Sequence, residues 1–315
     1  MPYRSVGAIK KMATLDGEIV ALAPYEPGSV LGAFANDPVK LAMIPFAGGD
    51  VRVQGVGLDE VSQGALIDQR VGLVKSGDEL WALLDVQHKP KIDPVTRSIR
   101  TLAHNPRGGA AFAITWDGTG VELKLDGAEV VARTFELRGK VRAVKLDGTS
   151  CLVAADGEGG GGRFREHPGA TPESGTQIRC DLPLAAAKMT ELAGGPQLAA
   201  LYAKGKRDVC VVRRVGAAAL EAKILALGCA TVAAAVLETC LFALGEDGVL
   251  RLYDGATLER ARDGAETAAS FELTLPAAAA PSVVASTTRG GNRLWLGTRA
   301  GEVFRADAVK GTSLL

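Results

Sequence analysis

The 315-residue chain is predicted to be all-β, a propeller of seven four-stranded antiparallel blades arranged in a ring. Three observations favour this fold. Short strands of alternating apolar residues recur along the chain, tight turns, mostly glycine-containing, join them, and equivalent turns return at steps of 40 to 61 residues, three of which are 40 or 41. Radial repetition of this kind leaves only short exposed sheet edges. An eight-bladed ring is the alternative, because the first spacing contains an additional hairpin around Gly48.

The clearest repeat unit is residues 243–255, the sixth of the seven. Apolar residues lead into a turn at Asp247-Gly248, alternation resumes at once, and Asp254-Gly255 closes the unit. This pattern is typical of two antiparallel strands joined by a tight hairpin. The Asp-Gly pairs are explained by turn chemistry, because both residues accept positive φ at low cost.

The other units repeat this pattern in chain order. The first is placed around an Asp16-Gly17 turn, and residues 41–46 and 51–56 form the additional hairpin that follows it. In the third unit Val121 and Leu125 alternate with charged residues, so one face of that strand meets water. In chain order, the six units other than residues 243–255 are assigned to residues 11–34, 71–85, 110–137, 141–165, 197–227 and 283–307.

All of residues 1–315 are assigned to one propeller domain. The closure of the ring stays open at this point. Residues 1–10 are short for a full inner strand and residues 311–315 are short for a full outer one, so either terminus could complete the last blade.

Composition limits the classes of partner. Lys plus Arg and Asp plus Glu number 36 each, so no overall field draws the chain onto nucleic acid or an anionic membrane. The first residues lack the apolar run of a secretory signal, and no stretch reaches the ~20 apolar residues of a membrane span. We therefore expect a cytoplasmic protein that binds neither nucleic acid nor membrane.

The five cysteines are widely separated and never form a C-x-x-C pair. An odd number in this arrangement argues against a disulfide framework and against a zinc knuckle. We expect reduced thiols that are buried as small apolar side chains.

No catalytic, metal or nucleotide motif is found, and we expect no cofactor and no enzymatic activity. His88, His104 and His167 all fall in predicted loops and are expected at the surface. The glycine run 157–162 lacks the Lys and Ser/Thr of a phosphate loop, so it is predicted to be a hairpin tip. The Asp-Gly pairs also lack the ligand spacing of a calcium loop.

The three tryptophans, Trp81, Trp116 and Trp295, lie in or beside predicted strands. We expect them to pack in the core or between blades, with a ligand-stacking role in the central channel as the alternative.

Several units resemble known propeller repeats. Residues 245–254 resemble the end of a WD repeat, with Tyr253-Asp254 where Trp-Asp is usual. Residues 16–22 and 301–307 are similar to the Asp-Gly-x-Val-x-Ala-Leu-Asp phrase of quinoprotein-like blades. This resemblance covers most of residues 11–307, and it implies the propeller fold and the presentation of loops to other proteins.

The functional expectation is a non-enzymatic protein-protein interaction scaffold, and a subunit of a larger complex is one version of it. The turns of the repeat should share one rim, on which basic turns of two units face acidic turns of the others. The alternative is a ligand-binding or hydrolase/lyase-type propeller with a channel-mouth site of Asp, Glu and Arg. The predicted partner-binding residues are Lys204, Lys206, Arg207, Glu246, Asp247 and Arg299.

Overall fold

A computed structural model describes most of the chain: residues 3–88, 90–137, 139–146, 150–157, 162–168, 178–217, 219–276, 280–288 and 292–310. The strands form six hydrogen-bonded sheets that are arranged as a propeller-like ring. The prediction of an all-β propeller is therefore confirmed at this level. The predicted hairpin tip at 157–162 lies mostly outside the described residues.

Four of the sheets have four antiparallel strands each, joined in chain order as expected of propeller blades. Alternation places one set of side chains of each strand against a neighbouring sheet. Their strands are β3 (Ile19–Tyr25), β4 (Val30–Ala35), β5 (Lys40–Pro45), β6 (Arg52–Gly55); β7 (Gln63–Leu66), β8 (Val71–Ser76), β9 (Glu79–Leu84), β10 (Lys91–Thr96); β11 (Ile99–Ala103), β12 (Ala110–Thr115), β13 (Thr119–Asp126), β14 (Glu129–Glu136); β15 (Val141–Leu146), β16 (Ser150–Asp156), β17 (Gly162–Pro168) and β18 (Ile178–Leu182).

The fifth sheet has eight strands and is held together by one long strand, β22 (Leu220–Leu237). The first half of β22 pairs with β21 (Lys206–Arg214) and its second half pairs with β23 (Cys240–Gly245). A 3-10 helix, Leu184–Lys188, precedes this sheet, and helix α1, Gly255–Arg260, follows its strand β24 (Val249–Tyr253) in the chain. Its strands are β19 (Glu191–Gly194), β20 (Leu198–Tyr202), β21 (Lys206–Arg214), β22 (Leu220–Leu237), β23 (Cys240–Gly245), β24 (Val249–Tyr253), β25 (Glu266–Thr267) and β26 (Phe271–Thr274).

The last sheet joins the two ends of the chain. Strand β29 (Glu302–Lys310) pairs along one part of its length with β2 (Lys10–Thr14) and along the other with β1 (Tyr3–Val6), so the N-terminal segment supplies the outer strand. This answers which terminus completes the sheet. Its strands are β1 (Tyr3–Val6), β2 (Lys10–Thr14), β27 (Pro281–Thr287), β28 (Arg293–Thr298) and β29 (Glu302–Lys310).

The inner strands close a ring around a central axis. Contacts run from β3 through β7, β11, β15, β19 and β22 to β27, and β27 contacts β3 again. The predicted count of seven separate four-stranded blades is wrong, and so is the alternative of eight. Five sheets have the four or five strands of a blade, whereas the sixth has eight, because no Pro or Asp-Gly pair interrupts β22 between residues 220 and 237.

The first repeat unit was predicted one step out of phase. Asp16-Gly17 lies in the segment from β2 to β3, and the second-to-third strand turn of the first sheet is at residues 36–39. Gly17 has φ +92°, and a Cβ there would lie 1.4 Å from the Asn36 carbonyl oxygen. The hairpin about Gly48 is the ordinary third-to-fourth strand connection, so the basis for an eighth blade disappears.

The core lies between neighbouring sheets. Phe34 of the first sheet packs with Leu66 and Leu83 of the second, and the ring of Phe46 lies 5.2 Å from that of Trp295 in the closing sheet. Four of the five cysteines are buried and Cys180 is partly buried, and all five are free thiols. The expectation of reduced, largely buried cysteines is thus met.

Candidate functional site

One edge of the ring, here called the turn rim, carries the second-to-third strand turns and the segments that lead into the inner strands. Its turns are cross-linked by backbone hydrogen bonds. The Ile99 N–H donates to the Asp78 carbonyl at 2.8 Å, and the Arg299 N–H donates to the Ala280 carbonyl at 2.8 Å. The described turns of this rim are residues 36–39, 77–78, 116–118, 203–206, 246–248 and 299–301.

The basic turn between β20 and β21 contains, within the described chain, both unpaired and ion-paired cations. Lys204 and Lys206 are exposed and form no ion pair with the described part of the chain. Arg207 instead donates to the Leu227 carbonyl at 3.0 Å and to the Glu266 carboxylate at 2.7 Å. Arg207 therefore holds its own sheet together more directly than it offers charge to a partner.

The acidic turn between β23 and β24 likewise contains one ion-paired carboxylate, that of Asp247, and, among the described residues, one unpaired carboxylate, that of Glu246. The Arg251 guanidinium donates to both Asp247 carboxylate oxygens, at 3.0 and 2.6 Å, and to Glu272 at 3.0 Å. These hydrogen bonds lower the pKa of the Asp247 carboxyl and raise that of Arg251. Asp247 is thus a structural partner of Arg251.

Glu246 is exposed and lies beside the basic turn. A Cβ on Gly205 would be 3.2 Å from the Glu246 carboxylate, and both residues bond through their N–H groups to β22, at the Thr231 and Ala230 carbonyls. The structure therefore brings Lys204, Lys206 and Glu246 to one region of the turn rim.

Arg299 lies in the β28–β29 turn of the closing sheet, not with this group. Its guanidinium is 3.8 Å from the Glu18 carboxylate, and both side chains are exposed. An exposed pair of this length contributes little to stability, so Arg299 stays available to a partner.

A central cavity of about 450 Å³ runs between the inner strands. This volume lies in the range of small-molecule sites. The alternative, a channel-mouth site of Asp, Glu and Arg, stays a prediction; glutamate and arginine line the cavity together with lysine, histidine and small residues. The ionisable lining residues are Glu26, His104, Arg107, Lys145, Glu191, Tyr202, Lys204 and Glu238.

Several lining side chains bind the inner strands to one another. The Ser282 hydroxyl donates to the Ile19 carbonyl at 2.6 Å, and the Ser286 hydroxyl donates to Val236 at 3.0 Å. The Gln63 amide oxygen accepts from the Leu102 N–H at 2.6 Å. These bonds satisfy backbone groups at the free edges of inner strands, which no neighbouring strand can pair.

His104 has the same structural role, which corrects its predicted surface location. It is 8% exposed, its Nε2 lies 2.7 Å from the Pro24 carbonyl, and its Nδ1 accepts from the Leu66 N–H at 3.4 Å. Burial, with the charge of Lys145, lowers its pKa to about 3. The imidazole is therefore neutral near pH 7, with the proton on Nε2.

The other two histidines differ in exposure. His88 is exposed, as predicted, whereas His167 is 3% exposed and therefore contradicts the prediction. His167 lies in β17, which pairs with β16 on one edge and β18 on the other, and the charged residues that directly precede it give no sign of burial. Within the described ranges, no three His, Cys, Asp or Glu side chains are grouped to hold a metal ion.

The cysteine thiols are poor nucleophiles near neutral pH. Burial raises the pKa of Cys151 and of Cys210 to about 12, and burial together with Asp181 raises that of Cys180 to about 11. Because the thiolate is the reactive form, these side chains are inert packing residues.

Trp116 is the surface residue that the sequence interpretation missed. Trp295 is fully buried and Trp81 is half-buried, in line with the packing prediction, but Trp116 is 58% exposed on the turn rim. The available indication was its place directly before the Asp117-Gly118 turn, where a side chain leaves the sheet.

Comparison with protein-family models gives no match, and comparison with curated protein sequences gives none either. The resemblance to WD-repeat and quinoprotein-like blades therefore holds for the propeller-like fold and assigns no family. No helix in the described part of the chain is long and apolar enough to cross a membrane.

Proposed function

We propose that this protein is a non-enzymatic scaffold that binds another protein through its turn rim. The observation that carries the proposal is the group of Lys204, Lys206 and Glu246. These exposed charges come from neighbouring turns and have no ion-pair partner among the residues described. Charges of this kind steer association and orient a partner more than they add affinity.

The rim is suited to binding because it is already ordered. Its turns bond to adjacent segments, as the Gly205 N–H does to the Thr231 carbonyl at 2.8 Å. A surface that is fixed before binding loses less conformational entropy when a partner docks.

The test is to purify the tagged full chain with its partner, map chemical cross-links, and then measure affinity. The double variant Lys204→Glu/Lys206→Glu should associate about tenfold more weakly, with most of the loss in the association rate. Arg262→Glu is the matched control, because Arg262 is an exposed cation with no ion pair to a described residue and lies in the β24–β26 connection. Unchanged affinity in the double variant, with cross-links confined to other edges, would contradict the proposal.

The second candidate function is small-molecule binding in the central cavity. Its volume of about 450 Å³ and its mixed acidic and basic lining favour a polar ligand that carries both charges. Native mass spectrometry of the purified chain should then show a bound small molecule at one equivalent, reduced in Glu191→Gln. A mass equal to that of the chain alone under gentle conditions would argue against this candidate.

A further inference from the structure

Trp116 exposes more aromatic surface than any other described residue on the molecule. The remaining large apolar side chains that are exposed in the described ranges are all aliphatic. Tryptophan is enriched at the centres of protein interfaces, because one rigid side chain offers a large contact area. An exposed tryptophan on the rim therefore indicates a place where a partner docks.

The indole is held in one orientation. The Trp116 backbone N–H donates to the Ser98 carbonyl at 2.9 Å, and the indole N–H donates to the Asp78 carboxylate at 3.1 Å. The first bond ties the Trp116 backbone to the segment that leads into β11 of its own sheet, and the second ties the ring to the β8–β9 turn of the neighbouring sheet. Binding over this ring would consequently cost little additional side-chain entropy.

Asp78 borders the ring, because its carboxylate accepts the indole N–H. Asp117 is the next residue in the same turn, and its carboxylate accepts from the Thr115 hydroxyl and from the Thr119 N–H at 3.0 Å. Neither carboxylate is ion-paired with a residue that the structure describes, whereas the nearby Glu79 is paired with Arg97 at 3.2 Å. The Lys75 ammonium on the same hairpin donates to the Gly77 carbonyl.

An aromatic face beside unpaired carboxylates attracts a cation and repels an anion. A guanidinium or ammonium over a tryptophan ring gains cation–π energy, and it can bond to a carboxylate at the ring edge. Nucleic acid and acidic peptides are disfavoured by the same charges.

We propose that the Trp116 patch, formed by Asp78, Trp116 and Asp117, binds an arginine or lysine side chain of the protein partner. The cation stacks on the exposed indole face while Asp78 and Asp117 neutralise its charge. The inference rests on the proposed scaffold function and names the chemistry of one contact.

The probe is a fluorescein-labelled peptide of alternating arginine and alanine, titrated with the full chain at low salt. Fluorescence anisotropy should show saturable binding, and Trp116→Leu should weaken it about fivefold, since leucine keeps an apolar surface but lacks the π face. Asp78→Asn retains an oxygen that accepts the indole N–H, so it should weaken binding through charge alone. Val53→Ala, another exposed apolar position, is the control and should leave binding unchanged.

Each other result counts against the patch. Equal affinity in wild type and Trp116→Leu, no saturable binding, or equally tight binding of a glutamate-alanine peptide would overturn the inference. Failure of the scaffold proposal is distinguishable. If binding of the purified partner depends on Lys204 and Lys206 but not on Trp116, the scaffold proposal is supported and the Trp116 inference is overturned. If no partner cross-links to the rim, the scaffold proposal is overturned.

Discussion

His104 connects three sheets through one imidazole. Its Nε2–H donates to Pro24 in β3 and its Nδ1 accepts from Leu66 in β7, while the residue itself follows β11. Both bonds require the neutral ring. Protonation in the native state would lose the Leu66 bond and place a charge in a buried site near Lys145, which is why the pKa is low.

The pH dependence of stability follows from this shift. The native pKa of about 3 lies below the ordinary value of 6.5, so below pH 6.5 the unfolded chain binds a proton that the native protein does not. The contribution of His104 is complete above pH 6.5 and is lost as pH falls toward 3. At pH 5 the loss should be about 2 kcal/mol.

The measurement compares urea unfolding of wild type and His104→Gln at pH 7 and pH 5. The variant should be less stable by about 1–3 kcal/mol at pH 7, and the difference should shrink at pH 5 because glutamine does not titrate. Ser286→Ala removes a non-titrating link between inner strands, so its destabilisation should be the same at both values. A pH-independent difference for His104→Gln would refute the assignment.

At the scale of single elements, the two rim turns flanking the second half of β22 use arginine differently. Arg251 joins the β23–β24 turn to β26, and its side chain is 10% exposed. Arg207 joins β21 to Glu266, and its side chain is 55% exposed. Desolvation strengthens the first interaction, whereas water and salt weaken the second.

Replacing each arginine by methionine should separate these roles. Arg251→Met should lower the free energy of unfolding by about 2–3 kcal/mol, because methionine keeps an apolar chain in this buried position but loses the charge-assisted hydrogen bonds of the guanidinium. Arg207→Met should cost less than about 1 kcal/mol. Chemical denaturation of both variants checks the order, and equal costs would show that burial does not distinguish the two pairs.

Strand β22 shows how an element can exceed its predicted bounds. The sequence pattern predicts an outer strand at residues 221–227 and, in residues 229–244, two short strands broken at Glu238. The structure merges the first two of these into Leu220–Leu237, although Glu238, with φ +53°, ends the strand before β23 as the pattern indicated. No Pro or Asp-Gly pair lies between the two halves, so nothing forces the backbone to turn.

At the scale of the whole molecule, ring closure depends on both chain ends. Tyr3 of β1 is fully buried against Phe242 of the eight-stranded sheet, with ring centroids 6.3 Å apart. The same strand pairs with residues 308–310 of β29. Strand β1 therefore fastens the closing sheet to its neighbour and shields an otherwise open sheet edge.

Deleting residues 1–6 and deleting residues 308–315 should each lower the melting temperature markedly, because each removes one member of the β1–β29 pair. The combined deletion should cost less than the sum, since the two segments stabilise each other. Calorimetry of the three variants measures this coupling. Additive losses would show that the ends act independently.

Burial of Tyr3 gives a second test of closure. Tyr3→Ala should destabilise the protein by about 3–5 kcal/mol, because it empties a large site in the core cluster shared by two sheets. Tyr3→Phe keeps the ring and serves as the control. A small effect of the alanine variant in chemical denaturation would mean that β1 does not fasten the ring.

The sequence by itself determined the all-β class, the strand spacing and most turns, because alternation and turn residues act over a few neighbours. Asp117-Gly118 and Asp247-Gly248 are turns as predicted, with glycine φ of +92° and +73°. The same local pattern also led to the phase error at Asp16-Gly17, since a turn between sheets and a turn within a sheet use the same residues.

Only the tertiary structure decided which side chains are available. In the folded protein Asp247 pairs with Arg251, His104 and His167 are buried, and Trp116 lies on the surface. These outcomes depend on contacts between residues far apart in the chain, and burial is set by the neighbouring sheet and not by the residue's own segment. For the same physical reason, the merging of two repeats through β22 and the closure by β1 became visible only in the assembled ring.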